Sequence, residues 1–421
     1  MIFIRLAFLS LWNRRLTSFL TVLSLCFSVA LLLAVERTKR AAEEGFTQSI
    51  SQTSLIVGAP TGPINLVLYT IFNMGSATSN ISMESYNHFA QHRAVDWIIP
   101  ISLGDGHRGF RVVGTNSSFY QHYRFRGNGS IEMEKGRQPD GLWDVVLGSE
   151  VAEKLQYQIG QKIVVAHGVT KGLGILNHED KPFSVVGILR PTGTALDRSL
   201  YLSLEAIEAL HVDWQNGAQP SKNKMVPAAG IRKEDLTPKA ITAFFLRTKS
   251  PIDTLGLMRE INDYQQESML AIMPGVTLGE LWRGLGYVEQ ILRMISILVV
   301  AVGLVAMLIA LLTGLNERRR EMAILRALGT SPWRIAGLLV FESTLLTLLG
   351  VAAGVALQVS SFSILKSWLE EAFGVYLVGS ALSGSAWIYL GITLALGTLI
   401  GVVPAWSATR TALKDGLSVR V

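Results

Sequence analysis

Cysteine, charge and catalytic signatures are what this 421-residue sequence has least of. Its one cysteine, Cys26, falls within an apolar run, so no intrachain disulfide can form and any folded domain must rest on its own core. Charged residues make up 17% of the chain against 49% apolar residues, with a mean hydropathy of +0.35, a balance that excludes an ordinary soluble multidomain protein. No H-E-x-x-H, G-x-S-x-G or C-x-x-C pattern occurs, and no carboxylate pair stands out by context, which argues against an enzyme. A G-x-x-x-x-G-K-[ST] phosphate loop is also missing: the nearest stretch, "GVTKGLG" (168–174), has neither the spacing nor the following Ser or Thr. No cofactor is therefore expected on this chain. Internal repeats and low-complexity tracts are lacking too.

Long apolar sequence is what the chain has instead. Four windows, Leu16–Val35, Met294–Leu315, Ile335–Val359 and Ala386–Trp406, each supply the about 20 residues that a helix needs to cross a hydrocarbon layer roughly 30 Å thick. Only the third holds a charged residue, Glu342. Arg14 and Arg15 ahead of the first window would suit a signal peptide. Its uncharged run fills a whole bilayer, however, and no clear small-x-small cleavage site precedes Glu36, so an uncleaved span is expected.

The basic residues sit beside these windows. Arg5, Arg14, Arg15, Arg318, Arg319, Arg320, Arg326, Arg334, Arg410, Lys414 and Arg420 face only Glu317, Glu321 and Asp415 in segments 1–15, 316–334 and 407–421, a local excess of +8 in a chain whose net charge is +6. Basic flanks resist translocation, which puts both termini and residues 316–334 in the cytoplasm and residues 36–285 and about 360–385 outside. No basic face remains for nucleic acid. At about 250 residues the external segment is large enough for its own core. Strand-like runs at 144–148, 161–168, 183–191, 198–203 and 241–248 alternate with helical patterns at Ser149–Leu155, Leu204–Leu210 and Ile252–Gln266. Gln215–Asp235 reads as a long exposed loop. The fold expected is an α-helical membrane protein with four transmembrane helices and an α+β extracytoplasmic domain inserted between helices 1 and 2.

The cytoplasmic hairpin carries more than charge. Met322, Leu325 and Leu328 line one side of a short helix over Glu317–Leu328, Gly329 suits a left-handed stop, Ser331 an N-cap and Pro332 the first position of the next helix. One helix thus ends and another restarts within about three residues, with Trp333 at interfacial depth. Such a rigid cap-to-cap turn suits docking on a partner.

"RRREMAILRALGTSPWRIAGLLVFESTLLTLLGVAAG" (318–354) resembles the signature of FtsX-like/MacB-like ABC transporter permeases. "LAFLSLWNRRLTSFLTVLSL" (6–25) and "VVPAWSATRTAL" (402–413) are similar to that family's entry and exit segments. The runs at 141–165 and 183–210 look like its extracytoplasmic core domain. The resemblance implies an amphipathic entry helix at 1–15, spans at 16–35, 286–315 (with a stalk), 335–359 and 386–406, a core domain plus second subdomain within 36–285, a coupling hairpin at 316–334, a short external loop at 360–385 and a cytoplasmic tail at 407–421. It also implies a bacterial inner-membrane location and a permease dimer, homodimeric or paired with a second permease, on a dimer of separate ATPase subunits that hold ATP and Mg. A periplasmic adaptor or substrate-binding protein is a further possible partner. On this resemblance Arg318, Arg319, Arg320, Glu321 and Arg326 contact the ATPase, where bidentate arginine forks suit carboxylates, and Met322, Leu325 and Leu328 fill its apolar floor.

Three further features keep alternatives open. Glu342, about eight residues into its span, is read as a polar contact near the cytoplasmic gate, with an ion relay as the rival. Gly350 and Gly354, and Gly397 and Gly401, form small-xxx-small pairs that fit packing within the chain or a dimer interface. Glu84, His88 and His92 would share a helical face and are the only metal candidates seen, although a solvated face is the favoured reading. "GAPTGPINLVLYTIFNMG" (58–75) is core, dimer contact or substrate surface. No polar pathway crosses the spans, which favours mechanical work over conduction. The cargo would be a lipoprotein, a peptide, a small molecule or something metal-linked. The alternative function is an FtsX-like switch acting on an external partner such as a cell-wall hydrolase.

Overall fold

Apolar side chains project from both faces of the central strands, and this sorts the sheet's contacts into two layers. The computed structural model describes residues 11–12, 14–47, 49–168, 178–213, 226–317, 322, 324, 326–327, 329–373 and 384–411. In chain order the elements used below are helix α1 (Arg15–Thr47), strand β1 (Leu55–Gly58), helix α2 (Met83–Ala90) and strands β2 (Val95–His107), β3 (Phe110–Thr115), β4 (Met133–Gly136), β5 (Asp144–Leu147), β6 (Ala166–His167), β7 (Phe183–Leu189) and β8 (Ser199–Ser203). Helix α3 (Leu204–His211), strands β9 (Ala243–Thr248) and β10 (Leu270–Ile272), and helices α4 (Pro274–Glu317), α5 (Pro332–Phe373), α6 (Gly384–Ile400) and α7 (Val402–Thr411) follow. Contacts divide the chain into a sheet unit, residues 43–284 with 371–376, and a helical unit formed by the remainder.

In the sheet unit one 11-stranded mixed sheet runs β10-β1-β9-β2-β3-β8-β5-β7-β4, with β6 added to β2 and Lys162–Ile163 to β7. The strand period of two divides neighbouring residues between faces. Ile56, Phe245, Val146 and Tyr201 enter one cluster. Their chain neighbours Leu55, Val57, Phe244 and Leu246 enter a second, and Val145, Leu147, Leu200 and Leu202 a third. A sheet covered on both faces needs apolar runs rather than polar alternation, which is why "AFFL" and "DVVL" read so greasy. Each fully buried Phe or Leu side chain contributes about 1.5–3 kcal/mol. The apolar stretch 58–75 joins this core: it forms a helix over Pro63–Ile71 that buries Leu66, Val67, Tyr69 and Ile71.

The expected strand at 161–168 is instead two short strands. Ile163 pairs with Phe183 of β7, whereas Ala166 and His167 pair with Gly106 and Asp105 of β2. The chain changes partner between them and cannot stay one ladder. The helix expected at Ile252–Gln266 stops at Asn262.

Each apolar window lies within helical structure of the helical unit. Helices α1, α4 and α5 contain 33, 44 and 42 residues, about 50, 66 and 63 Å at 1.5 Å per residue, so all exceed a hydrocarbon layer of roughly 30 Å. The fourth window is broken at Gly401, between α6 and α7. Pro404 has no N–H to give the carbonyl at position 400, and its ring crowds that carbonyl. Leu25, Leu32, Val300, Leu304, Met307 and Leu346 form the seam of α1, α4 and α5. Phe19, Phe27, Leu298, Val302 and Ile309 are exposed, as suits helices solvated by lipid.

Candidate functional site

Four side chains converge where β2 pairs with β6: Asp105, His167, His178 and His211, whose donor atoms all lie within 4.8 Å of one another. Their positions follow from local backbone structure. A register shift in β2 between Leu103 and Gly106 takes Gly104 and Asp105 out of pairing with β3. Asp105 then pairs with His167 across β6, and Gly168 N donates to Gly104 O at 3.0 Å. His178 N donates to Val165 O at 2.9 Å, which brings the next segment alongside. His211 is the last residue of α3, a helix capped at its start by the Ser203 hydroxyl accepting from Ala206 N.

Side-chain geometry is tight. Asp105 Oδ1 lies 3.3 Å from His167 Nδ1 and 3.6 Å from His211 Nε2, and those two nitrogens are 3.4 Å apart. His211 Nδ1 lies 3.0 Å from the Ile207 carbonyl oxygen; donation there leaves Nε2 as the nitrogen facing the cluster. Asp105 and His178 are buried, at 2% and 1% exposure, while His167 reaches solvent. Burial, reinforced by the neighbouring His211, pushes His178 down to about 4. The hydrogen bond to Asp105 moves His167 the other way, above its ordinary value, and outweighs its partial burial. Beneath the cluster, buried Lys181 donates to Leu210 O at 3.3 Å and to Asp213 Oδ1 at 2.6 Å, fastening the 178–181 turn to the end of α3.

The hairpin follows its expected local chemistry where it is described. Gly329 has φ +90°, a left-handed conformation, and its N–H donates to Arg326 O at 2.9 Å. Helix α5 starts at Pro332, with Arg334 N donating to Ser331 O at 3.1 Å. Met322 packs inward on Leu315, Leu339 and Ala405 of this same chain. Ile324, which the sequence reading passed over, is 54% exposed. Arg318, Arg319, Arg320, Glu321, Leu325 and Leu328 lie outside the described residues, as do residues 1–10, 214–225, 374–383 and 412–421.

Comparison with known families supplies the context. The FtsX-like permease C-terminal model matches residues 293–416, and the MacB-like periplasmic core domain model matches residues 18–264, more than half of the chain. The chain belongs to the FtsX-like/MacB-like family of ABC transporter permeases. Solved structures similar to it include the periplasmic region of MacB from Actinobacillus actinomycetemcomitans, 9% identical over 55% of this chain and 94% of that one with a TM-score of 0.34. The extracellular domain of the noncanonic ABC-type transporter YknZ from Gram-positive bacteria is another, 13% identical over 52% of this chain and 99% of that one with a TM-score of 0.31. No curated protein matches the chain.

Within the permease, Glu342 is 3% exposed and lines a small cavity with Arg14, Thr17, Ser18 and Thr21, where Arg14 also donates to Gly314 O at 2.6 Å. The glycine pairs pack inside the chain. A Cβ on Gly350 would stand 2.6 Å from Leu25 Cβ, one on Gly354 2.8 Å from Val29 Cβ, and Gly397 and Gly401 are closed by Thr347 and Ser343 of α5. They bring α5 against α1 and α6 against α5. Glu84, His88 and His92 are not assembled. Helix α2 ends at Ala90, so His92 lies beyond it, 3.4 Å from Glu260 Oε2, while the His88 ring packs on Tyr264. The cluster at Asp105 escaped the sequence reading because its members are brought together by strand register, not by helical spacing.

Proposed function

We propose that this chain is the permease subunit of an ABC transporter in which ATP hydrolysis by a separate nucleotide-binding subunit drives motion of the extracytoplasmic domain. It would lie in the bacterial inner membrane as a dimer with both termini cytoplasmic. Its work is export, extraction or periplasmic handling of a cargo. The observation carrying this reading is the turn at Gly329–Pro332, where Gly329 takes φ +90° just ahead of the 42-residue α5. On this reading a push on the hairpin is passed to the start of α5 at Pro332. Helices α1, α4 and α5 outrun the bilayer by tens of ångströms at 1.5 Å per residue, a length suited to carrying movement rather than forming a conduit.

Within this reading Arg318, Arg319, Arg320, Glu321 and Arg326 dock on the ATPase, and exposed Ile324 joins Leu325 and Leu328 as the apolar part of that surface. Met322 serves instead to seat the hairpin on its own bundle. The test is co-purification with an ABC ATPase from the source cell, followed by ATP hydrolysis by the complex in lipid nanodiscs. Arg319→Glu with Arg326→Glu should abolish complex-dependent hydrolysis while membrane insertion and the melting profile stay unchanged. Retained hydrolysis would refute the docking surface. Failure of any ABC ATPase to co-purify with the unaltered chain would refute the coupling.

A further inference from the structure

We propose that Asp105, His167, His178 and His211 form a binding site for one divalent transition-metal cation, zinc foremost, in the extracytoplasmic domain. The inference stands apart from the coupling reading, since it concerns the sheet unit alone and its test uses no ATPase.

The first argument is geometric. A tetrahedral zinc site with bonds of about 2.0–2.1 Å places neighbouring donor atoms about 3.3–3.4 Å apart. Three donor separations here are 3.3, 3.4 and 3.6 Å, nearly an equilateral triangle, and the donor of His178 lies within 4.8 Å of all three. Two imidazole nitrogens that point at one carboxylate oxygen and at each other share a focus. A hydrogen bond would need only one of them.

Donor chemistry then narrows the ligand. Three imidazoles and one carboxylate suit zinc, cobalt(II), nickel(II) or copper(II). Magnesium and calcium take oxygen shells, and no thiolate is present to favour softer ions. His178, at 1% exposure, closes the inner side of the cluster. The hydrogen bond from His211 Nδ1 to the Ile207 carbonyl is the outer contact that fixes a ligating tautomer with Nε2 inward. The neighbouring Lys181 does not oppose a cation, because Asp213 at 2.6 Å and Asp180 at 3.5 Å balance its charge. With four protein donors the site is closed, which suits holding a cation rather than activating water. His167, on the exposed side, gives the ion its way in and out.

Such an ion would join β2, β6, the 178–181 turn and α3, positions far apart in sequence. Metal level would then set how firmly this part of the extracytoplasmic domain is held.

The experiment uses the full-length protein in nanodiscs, stripped with a chelator and titrated with Zn(II) by calorimetry and with Co(II) by visible absorption. One equivalent of each should bind, with Co(II) giving the intense visible bands of four-coordinate geometry, and Zn(II) should raise the melting temperature. His167→Ala is the first variant, since its side chain is exposed and its loss leaves the core intact. Asp105→Asn is the second. Each should weaken Zn(II) binding by at least about a hundredfold, beyond the range seen for outer-contact losses, and remove the thermal shift. His92→Ala should change neither. Absence of saturable binding would overturn the site, as would binding that survives both His167→Ala and Asp105→Asn. Octahedral Co(II) spectra would overturn the closed four-donor arrangement.

Discussion

Lys181 Nζ stands 2.6 Å from Asp213 Oδ1 with both side chains almost wholly out of solvent. Burial alone would raise the Asp213 pKa, yet the hydrogen bond from Lys181 and the backbone N–H of Val226 together hold it below its ordinary value. Asp213 is therefore held as a carboxylate by its contact with Lys181.

Removing one partner of such a pair leaves an uncompensated charge. Lys181→Met should destabilise the sheet unit by about 3–5 kcal/mol. Lys181→Met combined with Asp213→Leu should recover most of that loss, because an apolar pair of similar volume asks for no solvation. Chemical denaturation of the three proteins checks both statements. Equal destabilisation in the single and double variants would contradict them.

The contact between α1 and α5 makes a second prediction. Gly354 lies so close that a Cβ would stand 2.9 Å from the Cys26 carbonyl oxygen as well as 2.8 Å from Val29 Cβ. Gly354→Leu should cost the bundle about 1–3 kcal/mol through forced separation of the helices. Gly337, with nothing within 4 Å of its Cβ position, is the control: Gly337→Ala should be neutral or stabilising by up to about 1 kcal/mol through reduced chain entropy. Melting temperatures in detergent separate the two.

Acid should weaken the sheet unit through Glu267. Burial alone would raise its pKa, but hydrogen bonds from Ser85 and Ser82 outweigh it and leave it below the ordinary 4.5; Ser82 N donates at 2.8 Å and Ser82 Oγ at 2.7 Å. A carboxylate depressed in the folded state stabilises it above the unfolded value, and that contribution is lost as pH falls through the folded value. The melting temperature should therefore decline as pH drops below 4.5, and Glu267→Gln should flatten the decline. An unchanged slope in the variant would contradict this assignment.

Much of the fold was legible because the relevant signals are local. Helix Ser149–Leu155 falls where the sequence pattern puts it, and β5, β7 and β8 lie within the expected runs, because their apolar residues are contiguous and are bounded by turns. The 13-residue β2 was not legible, since Pro100, Gly104 and Asp105 look like breakers. The ladder accommodates them by a register shift, visible only once β3 and β6 are in place. For the same reason the histidines gave no signal. His167, His178 and His211 are separated by 11 and 33 positions, no spacing that one element could align, and Asp105 joins them only across a strand pair. Gly329 and Pro332 were legible because left-handed backbone and helix starts are properties of single residues.

Three neighbouring residues of α1 define what freedom that helix has. Glu36 accepts from Ser385 Oγ at 2.7 Å, on α6; Arg37 reaches Gln358 at 3.4 Å and lies 3.7 Å from the Phe362 ring centroid on α5; Lys39 pairs with Glu289 on α4 at 2.9 Å. At about 100° per residue these side chains leave the helix in three different directions. Spinning α1 about its own axis would break at least one tether. Torque delivered to α1 is consequently shared among its three partner helices, and the bundle's cheap motions are tilts and slides made in concert.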